Sequence, residues 1–330
     1  MRKLIKNRNV RIALILLAVF AVVQILDTVG FIDGYIMGII ARVCINIILA
    51  VSLNLITGFT GQFSLGHAGF MSIGAYTCAI ITLRYPTVLG FIIGVIMGAL
   101  CAAIIGVLVG LPTLRLRGDY LAIATLGMAE IIRILFLNME ITNGAAGLIG
   151  IPQFVNWAWL FFFTVGTIII ITNFINSAHG RASISIREDE IAAESMGIHT
   201  TRSKVTAFTI GAFFAGIAGA LYASYFFFLK PELFGFAKSI DVLVIVVFGG
   251  LGSISGSVVA AVLLELISSM LQSLVALRMI IYAVLLVVIM IFRPQGLMGS
   301  KEISGIMFKG VRERVQSKVR SVGKGKGGEA

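Results

Sequence analysis

The sequence predicts an all-α transmembrane bundle, and three observations carry that prediction. The chain is 58% hydrophobic and 12% charged over its 330 residues, whereas soluble domains run at about half apolar and about a quarter charged. Its mean hydropathy is +1.04. The apolar residues fall in long continuous runs rather than in period-2 alternation, which selects helices over a membrane β-barrel. Inside a bilayer the backbone must satisfy its own hydrogen bonds, so helices and closed barrels are the available spanning forms.

A hydrocarbon core about 30 Å thick takes roughly 20 helical residues. Val10–Leu26 reads as a slightly short first span, followed by the polar break Asp27–Gly34. The stretch Met1 to Ala21 has the basic start and apolar run of a signal peptide, with a tolerable cleavage site at Val19-Phe20-Ala21. The topology below favours an uncleaved span. Tyr35–Ile56 is the second span and contains Arg42, Asn46 and Asn54. Phe70–Leu83 is a short third span ended by Arg84-Tyr85-Pro86, and Val88–Leu111 is a fourth stopped at Pro112. Tyr120–Leu137 follows the basic turn at Arg115 and Arg117, and Trp157–Ile175 places Trp157 and Trp159 as interface anchors. Val205–Leu229 is the seventh span, and Ile240–Phe248 is too short to cross unaided. Val258–Ala276 and Met279–Phe292 bring the total to about ten.

Charge sets the orientation. The formal net charge is +11, with Arg2, Lys3, Lys6, Arg8 and Arg11 at one end. The other end carries Arg293, Lys301, Lys309, Arg312 and further basic residues. Lys and Arg mark cytoplasmic flanks, so both termini, the Arg115–Arg117 turn and the charged loop 177–204 are expected inside. The whole chain, 1–330, reads as one transmembrane domain with a cytoplasmic loop at 177–204 and a basic, partly disordered tail at 293–330. Attraction to anionic lipid accounts for that tail without nucleic acid.

Two glycine-rich stretches interrupt the helical pattern. The first, Gly58–Phe70, holds Gly61, Gln62, Ser64, Gly66 and His67; the second, Gly249–Ser257, holds Gly249, Gly250, Gly252 and Ser253. Glycine relaxes the backbone and permits close helix approach. Irregular backbone at membrane depth is tolerated within protein or beside a water-filled cavity, and transporters use such broken helices at substrate sites. Ordinary helix packing with a turn is the competing reading; two clusters together favour part of a transport pathway.

Catalytic signatures are missing. The sequence contains no GxxxxGK[ST] phosphate loop, no HExxH and no GxSxG. Cys44, Cys78 and Cys101 lie in apolar runs without a CxxC pair, and His67, His179 and His199 are scattered, so neither disulfide nor metal site is expected. The expectation is a chain that is not an enzyme and binds no cofactor itself.

Charge within spans is costly, about 2.5–3.5 kcal/mol per residue on insertion scales. Glu130 and Arg133 are three apart in the fifth span and share a helix face, where they can neutralise each other. Glu265 has no local partner; Arg42 could reach it across the bundle. A lone carboxylate would suit an ion-coupled carrier, which keeps that reading open.

The loop 177–204 is charged far beyond what a chain reversal needs. Within it, Ile184, Ile191 and Ile198 recur every seven residues, consistent with one short amphipathic helix suited to docking in a groove. Acidic residues at its start suit the helix dipole, and Gly197 can end it.

The strings GQFSLGHAGFMSIGAY, LRLRGDYLAIATLGMAEIIR, ITNGAAGLIGIP, IREDEIAAESMGI, AFFAGIAGALYA, VFGGLGSISG and FRPQGLMG occur in that order. With them the chain resembles the LivM-type permease subunit of branched-chain amino acid ABC importers, from about Ala41 to Gly299. In such families a short cytoplasmic helix docks on the ATPase through an EAA-x-x-x-G pattern. Here Ala192, Ala193 and Gly197 match it, Ile191 stands where the first Glu would be with Glu190 just before, and the usual following Leu-Pro is absent. The resemblance implies coupling through Arg187, Glu188, Asp189, Glu190, Ala192, Ala193 and Gly197. It also implies a second homologous permease, two ABC ATPases that bind the ATP, and an extracytoplasmic binding protein. The expected location is a bacterial or archaeal cell membrane, the inner one in a Gram-negative cell. Urea and short-amide importers have similar permeases, so that substrate stays open beside leucine, isoleucine and valine.

Overall fold

The computed structural model describes residues 2–116, 118–271, 284, 287 and 296–299. The expected tenth span, Met279–Phe292, lies outside the described residues apart from Val284 and Val287. So do Arg117 and, apart from 296–299, the basic tail 293–330. The first six helices are α1 (Arg2–Thr28), α2 (Gly34–Asn54), α3 (His67–Arg84), α4 (Val88–Thr113), α5 (Asp119–Asn138) and α6 (Trp157–Asn176). Two short helices follow, α7 (Ala178–Glu188) and α8 (Glu190–Ser195), then α9 (Thr200–Phe226), α10 (Phe236–Gly249) and α11 (Ile254–Met270).

The all-α membrane bundle read from composition is the observed architecture. Gly34–Phe59, Val88–Thr113, Asp119–Asn138, Trp157–Asn176 and Thr200–Phe226 are long and apolar enough to cross a bilayer. Leu16–Thr28 and Ile254–Met270 are apolar but shorter. The third expected span extends back to His67. Its sequence is less apolar than its neighbours because α4, α5 and α9 surround it, so it needs no broad lipid-facing stripe.

α9 forms the centre, packed along α3 and α4, while α2 packs on α9, α6, α10 and α11. Gly74 of α3 faces Gly216 of α9 and Gly98 of α4 with backbones in contact, the small-residue packing expected where lipid supplies no hydrophobic drive. Phe70 of α3 and Phe208 of α9 meet edge to face at 5.4 Å. α10 and α11 form a hairpin whose turn is Gly250–Ser253. The expected glycine break, Gly249–Ser257, is shorter than predicted because the Ser253 hydroxyl accepts from Gly256 N at 3.1 Å and starts α11.

α1 lies against α6. There the Trp157 indole nitrogen donates to Phe20 O at 3.2 Å, and the residue is buried. This corrects its assignment as an interface anchor: its polar handle is used between helices. Trp159 is half-buried, edge-on to Phe91 at 5.5 Å. The loop before α6 is fastened by a two-residue pair, β1 (Leu148–Ile149) antiparallel to β2 (Phe228–Leu229), just after α9.

Candidate functional site

α2 does not end cleanly. Its last turn widens into a π-helical turn, Leu55–Phe59, and the Thr60 hydroxyl donates to the Ile56 carbonyl. Such turns recur at functional positions. Just before it sits Asn54, fully buried. Its Nδ2 donates to Ser253 O at 2.9 Å and Ser257 Oγ at 2.8 Å, and its Oδ1 accepts from Gly252 N at 2.9 Å. One amide thus satisfies backbone groups of the α10–α11 turn from another helix. A Cβ at Gly58 would collide with Asn54 Oδ1 and Gly252 N, so glycine is what lets the two breaks lie on each other.

Arg187, at the end of α7, completes this node. Its Nη1 donates to Gly58 O at 2.7 Å, and its Nε and Nη2 donate to Glu188 Oε1 at 3.1 and 2.5 Å. Its Cγ lies against Gly61, and its Nη1 stands beside Gly252. The two glycine clusters and the charged loop, separate in the sequence, therefore converge.

The expected single loop helix is two helices. Asp189 is extended, with φ −156°, and its carboxylate accepts from Ile191 N at 2.9 Å and Ala192 N at 3.0 Å. It caps α8 instead of continuing α7, so Ile184, Ile191 and Ile198 do not form one stripe. Gly197 does end α8: its φ is +83°, Gly197 N donates to Glu194 O at 2.9 Å, and Ile198 N donates to Ala193 O at 3.1 Å. These are the bonds of a Schellman closure. Glu190 accepts from Lys204 Nζ at 2.6 Å, with Lys204 buried, tying α8 to α9. Ala193 is buried; Glu188, Ala192 and Gly197 are exposed.

The remaining predicted residues sit around the first break. Gln62 is buried, and among the described residues neither its Nε2 nor its Oε1 has a hydrogen-bond partner. Ser64 Oγ accepts from Gly66 N at 3.4 Å, and Leu65 N donates to Thr125 Oγ1 of α5 at 3.1 Å. His67 Nε2 lies 2.8 Å from Ser52 Oγ of α2, while its Nδ1 has no hydrogen-bond partner among the described residues. At the second break, Gly249 and Gly250 are buried; Leu297 N and Met298 N donate to Phe248 O and Gly249 O at 2.9 and 3.3 Å.

Glu130 and Glu265 each have a basic partner. Arg133 Nε meets Glu130 Oε2 at 2.7 Å, as expected. Arg42 Nε donates to Glu265 Oε1 at 2.8 Å, and Asn46 Nδ2 donates to Glu265 Oε2 at 2.9 Å. Lys238 Nζ donates to Asn46 Oδ1 at 3.0 Å.

Sequence reasoning missed the joining roles of Asn46 and Asn54, the part played by Lys238, and the exposure of two apolar residues on the loop, Ile191 (70%) and Met196 (83%). The available signal for the first pair was two asparagines in an otherwise apolar span.

The family described as the permease component of branched-chain amino acid transport systems matches residues 35–291. The chain is 40% identical over 276 residues to the high-affinity branched-chain amino acid transport system permease protein LivM of Escherichia coli K12, covering 73% of this chain and 64% of the relative. It thus spans slightly less than two thirds of that relative's length. LivH of the same strain is 31% identical over 133 residues, 39% of this chain and 42% of the relative. A probable LivM permease of Methanocaldococcus jannaschii is 24% identical over 251 residues, 68% of this chain and 69% of the relative. No solved structure matches.

Proposed function

Because the chain belongs to the permease-component family of branched-chain amino acid transport systems, we propose that it is a membrane-spanning subunit of an ATP-binding-cassette importer for leucine, isoleucine and valine. It crosses the membrane about ten times with both termini cytoplasmic, following the distribution of Lys and Arg. In a Gram-negative cell that membrane is the inner one. A second, homologous permease completes the pathway; similarity to both LivM and LivH supports such a pairing. Two ATPase subunits bind the ATP, and an extracytoplasmic protein delivers the substrate. This chain has no catalytic role of its own.

The observation that carries the mechanism is the Arg187–Gly58 bond, which links the helix pair outside the bundle to both helix breaks. The α7–α8 pair docks on an ATPase, with Ile191 and Met196 on its exposed surface. Movement of the ATPases on binding and hydrolysing ATP shifts α8. The Glu190–Lys204 pair passes that shift to α9, and Arg187 passes it to the π turn. The segments holding Gly61, Gln62, Ser64, Gly66 and His67, and Gly249, Gly250, Gly252 and Ser253, are the moving part of the pathway. The ion-coupled carrier loses its motive, because both oxygens of Glu265 are engaged.

The test is uptake into proteoliposomes by the subunit alone and by the complete complex. ATP-dependent leucine uptake by the complex, and none by the subunit under an imposed ion gradient, is the expected result. Accumulation by the subunit alone would establish a carrier, and ATP-driven uptake of urea without leucine would replace the substrate.

A further inference from the structure

At the far end of the helices that meet at the Arg187 node lies a cavity of about 350 Å³. Along α2, Arg42 is about 24 Å from Gly58 at 1.5 Å per residue. The polar lining includes Arg42, Asn46, Lys238, Asp241 and Glu265. The apolar lining includes Ile45, Met71, Phe234, Ile245 and Leu264. Two cationic and two anionic side chains therefore face one small void whose other walls are aliphatic and aromatic side chains with the hydroxyl-bearing Ser268 and Ser269.

We propose that this cavity binds an α-amino acid as a zwitterion, with its carboxylate recognised by Arg42 and Lys238, its ammonium by Asp241 and Glu265, and its aliphatic side chain against Ile45, Met71 and Ile245. The inference rests on the permease reading above and adds the site and the chemistry of recognition.

Charge at membrane depth is expensive, and where it is kept it commonly marks a substrate path. A structural ion pair needs one partner for each charge and no adjoining space. Here the Arg42–Glu265–Asn46–Lys238 chain joins α2, α10 and α11 and borders a void. A zwitterion carries both signs on one carbon, so desolvating it is compensated only where both signs await it. A neutral amide such as urea needs neither, and a simple anion would face Asp241 and Glu265. The volume lies near the small end of ligand sites, which start at about 300 Å³. It suits a single amino acid, and burial of a branched side chain on the apolar wall supplies hydrophobic free energy.

The experiment uses the complete complex in proteoliposomes and radiolabelled leucine, alanine and urea. Asp241→Asn and Lys238→Gln are each expected to lower leucine uptake about tenfold or more at normal complex recovery, because each removes one sign from the pair. Ile245→Phe narrows the apolar wall and is expected to shift the leucine-to-alanine uptake ratio about fivefold or more toward alanine, a selectivity change that a structural role would not produce. Leucine uptake within about twofold of wild type in both charge variants, with an unchanged ratio in Ile245→Phe, would overturn the site while leaving the importer intact. Should a charge variant assemble poorly, Ser268→Cys gives a second readout, since Ser268 also lines the cavity. Leucine supplied through the binding protein is expected to slow its alkylation, and an unchanged rate counts against the site. A wild-type complex that imports urea but no leucine would instead overturn the substrate reading on which this inference rests.

Discussion

The Arg187 guanidinium donates to the carbonyl oxygen of Gly58 at 2.7 Å. The last carbonyls of a helix lack intrahelical partners, and this one lies where α2 has already widened into a π turn. A side chain from outside the bundle thus holds a group that the helix leaves open. The same arginine also holds Glu188, so the end of α7 and the helix break share one charge.

Arg187→Gln should leave assembly intact and reduce ATP-driven uptake. A hydrogen bond from a charged group contributes about 1.5–3 kcal/mol, which corresponds to roughly a ten- to hundredfold loss if it acts only during switching. Arg187→Lys keeps the charge without the fork and should recover part of the activity. The measurement is initial uptake rate alongside ATPase recovery; an Arg187→Gln complex that transports normally would remove the linkage.

Gly58→Ala should lower thermal stability by about 1–3 kcal/mol, the range for overpacking, because its methyl group meets Asn54 and Gly252. Gly38→Ala on the same helix is the control: nothing lies within 4 Å of the added carbon. It should be neutral or stabilising, since alanine favours helix by about 1 kcal/mol over glycine. Unfolding midpoints of the two variants in one detergent decide the matter.

Arg42→Met or Glu265→Leu alone should destabilise by about 3 kcal/mol, toward the lower end for a broken buried pair, as a third of the Arg42 side chain remains accessible (33%). The double variant should regain most of that stability, since no charge is stranded. Additive losses in a double-mutant cycle would show that the two residues are not coupled.

Gly197 separates backbone strain from surface contact. Its φ is +83° and the space around it is open, so Gly197→Asn keeps an αL-tolerant residue while adding bulk. If α8 docks against an ATPase, Gly197→Asn and Gly197→Asp should both reduce ATPase co-purification at unchanged membrane abundance, as should Ile191→Glu. Full recovery of the ATPases with all three variants would leave α8 as solvated surface.

Much of the scaffold was legible because α2, α4, α5, α6 and α9 each carry a continuous apolar run. Glu130 and Arg133 were legible for a local reason: a spacing of three puts them on one helix face. Arg42 and Glu265, 223 residues apart, could be suggested only as two charges in need of partners. The break between α7 and α8 was hidden because an aspartate near the start of a helix reads equally as a first-turn acid or as a cap. The meeting of the glycine clusters could not be read, because the backbone groups reached by Asn54 are set by how α2 lies on the α10–α11 hairpin.

That amide has a bearing on how the chain is made. The α10–α11 turn is synthesised long after α2 and enters surroundings that offer its backbone few hydrogen-bond partners. Asn54 is then already in place to receive Gly252 N and to donate to Ser253 O. The early helix is therefore expected to act as the template on which the late hairpin matures. A lesion at Asn54 should first appear as a shortened lifetime of the newly inserted protein under membrane proteolysis, before any defect of the assembled transporter can be measured.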